Sequence, residues 1–218
     1  TSTSYEIGAK TRLLAETLQL NMAYFRYTYE DLQLLYFDSG SSLVANLGEA
    51  ENQGVEVDAR WLIGDHFEAF MAGSWMDSEI TDAKDMIAKG VCSNCDGKNM
   101  PFAPEWSAAL HLTWTYPMFC GDVFAKSEVS YQDTMYSDLD NIPNIAVDSW
   151  QEWNFRVGYD DAAEWGATLY VENAFDEEYF ERGWANGDTT NQGGYGLTNT
   201  LVWPAKPRTF GVSAYMNF

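Results

Sequence analysis

Apolar and polar residues alternate along most of this 218-residue chain. Phe210, Val212, Ala214, Met216 and Phe218 share one parity, while Thr209, Gly211, Ser213, Tyr215 and Asn217 take the other. Val55, Val57, Ala59 and Trp61 alternate with Glu56, Asp58 and Arg60 in the same way. So do Trp153, Phe155, Val157 and Tyr159 with Asn154, Arg156 and Gly158, and Leu110, Leu112, Trp114 and Tyr116 with His111, Thr113 and Thr115. Successive side chains of a strand point to opposite faces, so each segment reads as a strand with one apolar side. Two architectures satisfy that pattern: a sandwich that hides the apolar faces between sheets, or a closed barrel that turns them to lipid.

Connection lengths favour the barrel. About nine strands are expected, near 3–14, 17–37, 50–63, 67–81, 103–118, 122–139, 147–160, 165–182 and 207–218. Tight turns fall at Ala15-Glu16, Gly64-Asp65-His66, Phe119-Cys120-Gly121 and Asp161-Ala162-Ala163. Long polar segments fall near 38–49, 82–102, 140–146 and 183–206. Short alternating with long is the habit of outer-membrane barrels, which have periplasmic turns and extracellular loops. On that reading the last strand ends in the periplasm and the first begins outside the cell. An odd strand count does not close a single-chain bacterial barrel, so further strands are expected on the N-terminal side. In the second strand, Leu18, Leu20, Met22 and Tyr24 share a face before Phe25, Tyr27 and Tyr29 take up the apolar pattern on the other. A β-bulge near Tyr24, or a strand leaving the bilayer there, accounts for the slip.

Composition agrees. The 9 Trp, 13 Tyr and 12 Phe suit aromatic girdles at two membrane interfaces. No apolar run approaches the roughly 18 residues of a membrane helix, so any span is made by strands. A formal net charge of -21 excludes nucleic acid as a partner, because phosphates need cations. It fits acidic loops in water or, equally, plain solubility in a salty habitat. The opening TSTSYEIGAK reads as a strand and lacks the layout of a signal peptide.

Three segments resemble TonB-dependent receptors. Asn52-Gln53-Gly54-Val55-Glu56 is similar to the family's N-x-G-V-E strand start, where glycine is expected to permit a bend after a loop. Asn173-Ala174-Phe175-Asp176-Glu177-Glu178-Tyr179 resembles the N-L-F-D-x-x-Y segment of the penultimate strand, with Ala174 in place of Leu. Pro207-Arg208-Thr209-Phe210-Gly211, running to Phe218, looks like the closing strand. Tyr5-Glu6-Ile7-Gly8 and Tyr29-Glu30-Asp31-Leu32-Gln33 also fit.

The resemblance implies an all-β, antiparallel transmembrane barrel of roughly 22 strands, with 1–218 as its C-terminal part. The family's N-terminal plug and the short box that contacts TonB are not recognisable in this chain. The implied function is TonB-dependent uptake of a scarce nutrient across the Gram-negative outer membrane, a ferric siderophore or similar metal chelate. Alternatives are a carbohydrate or corrinoid cargo, a passive porin, or a soluble lectin-like module. Implied partners are outer-membrane lipid, TonB, an extracellular small-molecule ligand and the outer-membrane assembly machinery. The last would read Phe210, Val212, Ala214, Met216 and Phe218.

The remaining candidates come from the residues. Cys92 and Cys95 form a C-x-x-C in a polar loop without the βαβ context of a redox motif or a second pair for zinc, so a loop disulfide is expected. Cys120 is left as a free thiol, and His66 and His111 are too few for a metal centre. Trp184, Asn186, Asp188, Asn191, Gln192, Tyr195 and Trp203 make an adaptable aromatic and amide surface for ligand. Tyr136, Asp138 and Asp140 are a second set of candidate contacts, for a cation or a hydroxyl-bearing ligand. Glu56, Asp58, Arg60, Glu128, Asn154, Arg156 and Glu172 are expected to form ion pairs across strands. No nucleophile is positioned for His111, so no enzyme activity, cofactor or metal is expected.

Overall fold

A computed structural model describes residues 1–38, 41–46, 48–161, 164–185 and 200–217. Its strands are β1 (Ser2–Leu13), β2 (Leu18–Tyr29), β3 (Gln33–Asp38), β4 (Ser41–Asn46), β5 (Glu49–Ile63), β6 (Phe67–Asp82), β7 (Trp106–Met118), β8 (Gly121–Gln132), β9 (Trp150–Asp160), β10 (Trp165–Glu172), β11 (Phe180–Ala185), β12 (Thr200–Pro204) and β13 (Thr209–Met216). A short helix, α1 (Lys84–Ala88), follows β6, and a 3-10 turn spans Pro143–Ile145. Nine strands form one antiparallel sheet in the order β1-β2-β5-β6-β7-β8-β9-β10-β13. The hairpins β3–β4 and β11–β12 stand apart as small sheets of their own. The large sheet is therefore a meander, each strand lying beside its predecessor in sequence once those hairpins are skipped.

The register carries the apolar parity from strand to strand. Met22 faces Val57, Ala59 faces Met71, Leu110 faces Val129, Val157 faces Leu169, and Leu169 faces Val212. No second sheet covers this face among the described residues: Phe210 and Val212 keep 73% and 71% of their surface exposed. That removes the sandwich, whose apolar faces must be buried. The fully buried larger side chains, Ile80, Met86, Ile142, Val147, Asn173 and Cys95, lie instead at the end of the sheet that carries the long connections.

At the opposite end the turns are tight. Leu14, Ala15 and Glu16 all take positive φ, as do Gly64 and Phe119. Long connections, 30–48, 83–105, 133–149 and 173–208, leave the other end, so loop length is segregated as the sequence implies.

Several boundaries differ from the sequence expectation. The segment 17–37 is two strands: β2 ends at Tyr29, and Gln33–Asp38 folds onto β4. The segment 122–139 leaves the sheet after Gln132, and 165–182 leaves it after Glu172. Strands continue the alternation into polar loop residues, so periodicity overshoots the last paired residue. No bulge interrupts β2, because Tyr24 pairs with Ile7 and Val55 in unbroken register. The apolar pattern changes face there because Phe25 lies on the polar face and is buried above Gly54. Gly54 itself sits inside β5, so its role is close approach and not a bend.

Candidate functional site

The four long connections pack on one another. Ile80, Ala83, Met86, Cys92 and Cys95 form a small dry core. Leu32, Leu34 and Ala45 of the first connection and Leu139 of the third pack against it. The start of α1 is seated by Asp96, whose carboxylate accepts the Ala83 N–H at 3.1 Å. Cys92 and Cys95 are joined by a disulfide with a Cα separation of 5.9 Å.

A polar clasp then joins the second connection to the third. The Asp140 carboxylate accepts the Ser93 N–H at 2.8 and 3.0 Å and the Asn94 N–H at 2.8 Å, inside the C-x-x-C turn. Asn141 accepts the Asn99 N–H at 2.9 Å and donates back to the Asn99 carbonyl at 2.9 Å. Asp138 accepts the Ile142 N–H at 2.9 Å, which closes the turn holding both residues. Burial pushes the Asp138 carboxyl above the usual range, and neighbouring Asp140 adds to the shift.

The third connection carries the fourth. Gly183 in β11 donates its N–H to Ser137 Oγ at 2.9 Å, and a methyl there would sit 2.6 Å from the Ile145 carbonyl oxygen. With that face of the hairpin packed down, alternation puts Arg182, Trp184, Leu201 and Trp203 on the other. The Arg182 guanidinium lies 4.0 Å from the centre of the Trp203 ring. Trp184 and Trp203 remain 48% and 38% exposed. Cation and rings together make a surface suited to a flat or anionic ligand.

Asn173 anchors this hairpin to the sheet. It is 1% exposed and holds φ 49, a left-handed conformation that asparagine tolerates. Its Nδ2 donates to the Glu177 and Lys206 carbonyls at 2.9 and 3.0 Å, and its Oδ1 accepts the Glu177 N–H at 2.8 Å. Asp176 accepts the Arg208 N–H at 3.0 Å. Tyr179 donates to Glu152 at 3.1 Å and stacks on Trp150, and burial raises its phenol. The N-A-F-D-E-E-Y segment is thus the knot by which the chain leaves β10 and is tied to β9 and β13. It is not part of the penultimate strand.

The polar face of the sheet is charged and cross-linked. Arg156 pairs with Glu128 and, at 3.3 Å, with Glu172. Arg60 makes a two-pronged contact to Glu68 at 2.8 and 3.0 Å. Asn21 donates to Asp58 at 2.8 Å, and Asn154 to Glu152 at 3.1 Å. His111 lies against Phe70 with ring centres 5.8 Å apart. A hollow of about 390 Å³ opens between Arg60, Glu68, Phe70, His111 and Thr113. A larger hollow of about 570 Å³ lies mainly over apolar-face residues such as Leu112, Trp114, Phe155 and Leu169. It presents almost no polar atoms and suits hydrocarbon better than a hydrophilic cargo.

Of the candidate ligand residues, Trp184 and Trp203 come together on the β11–β12 hairpin. Arg182, which pairs with Trp203 across the hairpin and shares a face with Trp184, was missed; its position two residues before Trp184 in an alternating stretch was the available signal. The Asp138 carboxylate is engaged by loop backbone, and the Tyr136 carbonyl accepts the Phe102 N–H at 2.8 Å. Phe210, Val212, Ala214 and Met216 line the apolar face of β13. Asn186, Asp188, Asn191, Gln192, Tyr195 and Phe218 lie outside the described residues.

Known proteins match this geometry. The sequence profile of the family described as "TonB dependent receptor-like, beta-barrel" matches residues 1–174. The pesticin receptor of Yersinia enterocolitica is 23% identical over 188 residues, covering 86% of this chain and 26% of that protein. A probable TonB-dependent siderophore receptor of Acinetobacter baumannii, PiuA, is 25% identical over 198 residues, covering 88% of this chain and 25% of the relative. The chain spans about a quarter of the length of these curated relatives. The crystal structure of the ferric yersiniabactin uptake receptor FyuA from Yersinia pestis superposes with a TM-score of 0.80 at 22% identity. That superposition covers 100% of this chain and 30% of FyuA. An uncovered apolar face, a charged opposite face and loops gathered at one end complete the correspondence: the chain belongs to the TonB-dependent receptor β-barrel family and is a stretch of an outer-membrane barrel wall.

Proposed function

We propose that this chain forms the C-terminal wall of an energy-coupled importer that takes up a ferric siderophore or a similar metal chelate. The observation that carries the reading is the exposed Arg182–Trp203–Trp184 face, held on a rim of mutually packed loops. Ferric chelates of this kind are bulky, polar and often anionic with planar aromatic arms. A guanidinium and two indoles on a fixed hairpin give such a ligand charge and stacking without much ordering cost. The named relatives are receptors for pesticin, for a siderophore and for ferric yersiniabactin, which supports the same class.

In this reading the long connections are extracellular and the tight turns periplasmic. Ligand captured at the rim passes along the charged lumen wall once TonB has rearranged a plug supplied by another part of the protein. Growth and radiolabelled-iron uptake test the proposal. A strain lacking the gene is supplied with ferric yersiniabactin, ferric citrate or a ferric catecholate as sole iron source. The expected result is loss of uptake for one ferric chelate, restored by the gene only when TonB is present. Uptake unchanged for every ferric chelate, with a defect on a sugar or corrinoid instead, overturns the cargo assignment. Steady ion conductance through the purified protein without TonB marks a porin.

A further inference from the structure

In most barrel hairpins the turn sets the pairing register, but a long connection leaves the two strands free to slide. A slip of one residue is excluded because it turns the apolar side inward. A slip of two keeps both faces correct and is the competing state. Glycines on the polar face mark where this sheet answers that problem.

A methyl placed on Gly54 would sit 2.7 Å from Phe25 Cζ, and one on Gly158 2.6 Å from Phe124 Cζ. On Gly211 it would sit 2.6 Å from Tyr170 Cε1, and on Gly166 2.8 Å from Tyr215 Cζ. In each case the ring belongs to the residue directly paired with the glycine on the neighbouring strand. The rings therefore lie flat on the wall, in the space a side chain would fill.

The placement of these pairs is selective. Phe25–Gly54 joins β2 to β5 across the connection 30–48. Phe124–Gly158 joins β8 to β9 across 133–149. Tyr170–Gly211 and Tyr215–Gly166 join β10 to β13 across 173–208, and they are reciprocal: each strand gives one ring and one glycine. The tight-turn neighbours show no such seat among the described residues; the three atoms nearest a methyl on Gly8, in β1, belong to Met22 and Ala23 of β2. The remaining long-connection pair, β6 with β7, sets Trp75 directly against Trp106 and carries the disulfide-bearing loop.

We infer that ring-on-glycine seats on the lumen wall fix the register of those strand pairs whose connections are too long to do so. After a two-residue slip, Tyr170 would face Thr209 or Ser213, Phe25 would face Asn52 or Glu56, and Phe124 would face Arg156 or Asp160. A Cβ at any of these meets the ring where glycine left room. The slipped state loses the seat and gains a clash, while the native one has both satisfied. The reciprocal pair guards the hairpin with the longest connection, which is also the one that delivers β13.

The test uses the full-length receptor in a Cys120→Ser background, with folding read by heat-modifiable gel mobility and by urea titration. Gly211→Ala is expected to lower the folding equilibrium about ten-fold or more when Tyr170 is present. In a Tyr170→Ala background the same change is expected to cost less than about two-fold, since the obstructing ring is gone. Equal losses in both backgrounds would mean that glycine matters only for backbone freedom, and would overturn the inference. Gly73→Ala, where the nearest atom to a new methyl is Ser107 O at 3.6 Å, serves as the glycine control and is expected to be near neutral. Should Gly211→Ala fail to fold, crosslinking decides. Leu169→Cys with Val212→Cys reports the native register, and Leu169→Cys with Ala214→Cys or with Phe210→Cys the two slipped ones. A slipped crosslink is expected only after Tyr170→Ala with Tyr215→Ala, and the absence of both there refutes the register role.

Discussion

At the scale of single residues, Asn173 shows how a motif can be legible while its role is not. The sequence displays N-x-F-D-x-x-Y but not the left-handed φ or the carbonyls of Glu177 and Lys206 that converge on one amide. Asn173→Ala leaves three backbone groups without partners and forces alanine into a strained conformation. It is expected to destabilise the fold by about 2–4 kcal/mol, measured by urea titration in detergent, with Asn173→Asp intermediate. Arg182 carries the second expectation. Arg182→Ala should weaken binding of the cognate ferric chelate about ten-fold, and Trp203→Ala about as much, read by fluorescence quenching. Unchanged affinity in both would remove the hairpin face from the binding site. Asp138 gives a pH signature. Its raised pKa means the folded loop holds a proton more tightly than the unfolded chain does. Its contribution to stability is therefore full below the ordinary carboxylate pKa and is lost as pH rises through the elevated one. Asp138→Asn keeps an acceptor for the Ile142 N–H and should flatten that trend in hydrogen-exchange protection of Ile142, once intrinsic rates are corrected.

At the scale of elements, the nine sheet strands were readable because lipid and lumen impose a strict two-residue repeat from Tyr5 to Met216. The repeat failed where a second force acted. Phe25 is apolar on the polar face because it seats on Gly54, whereas the pattern alone reads there as a bulge or as a strand leaving the bilayer. The hairpins β3–β4 and β11–β12 were hidden because β3 and the start of β11 continue the alternation of the expected strands 17–37 and 165–182, while β4 and β12 fall in the segments 38–49 and 183–206 that read as loops. The rim had no sequence signature beyond C-x-x-C, since Asp140 reaches the Ser93 and Asn94 amides from a connection far along the chain. Asp140→Ala should therefore release residues 93–99 to exchange, costing about 1–3 kcal/mol locally while melting of the sheet stays unchanged. Loss of the whole fold in that variant would show that the clasp belongs to the barrel and not to the rim.

At the scale of the molecule, the sheet is turned inside out relative to a soluble protein, with apolar side chains outward and its dry core displaced to the loops. β1 and β13 do not pair with each other, so the described wall has two open edges. Lipid offers no partners for such edges. Expressed alone in detergent, the 218-residue chain is expected to self-associate and to show no heat-modifiable band, whereas the full-length receptor shows one. A monodisperse, folded chain without amphiphile would contradict the barrel assignment. The stacked loops also bear on engineering. Each connection shields the greasy underside of its neighbour: Met86 sits against Gly48, and Ile145 against Gly183. Chimeras that trade a lone loop between receptors would strip cover from the one beside it, so a change of cargo preference has to be transplanted as a block.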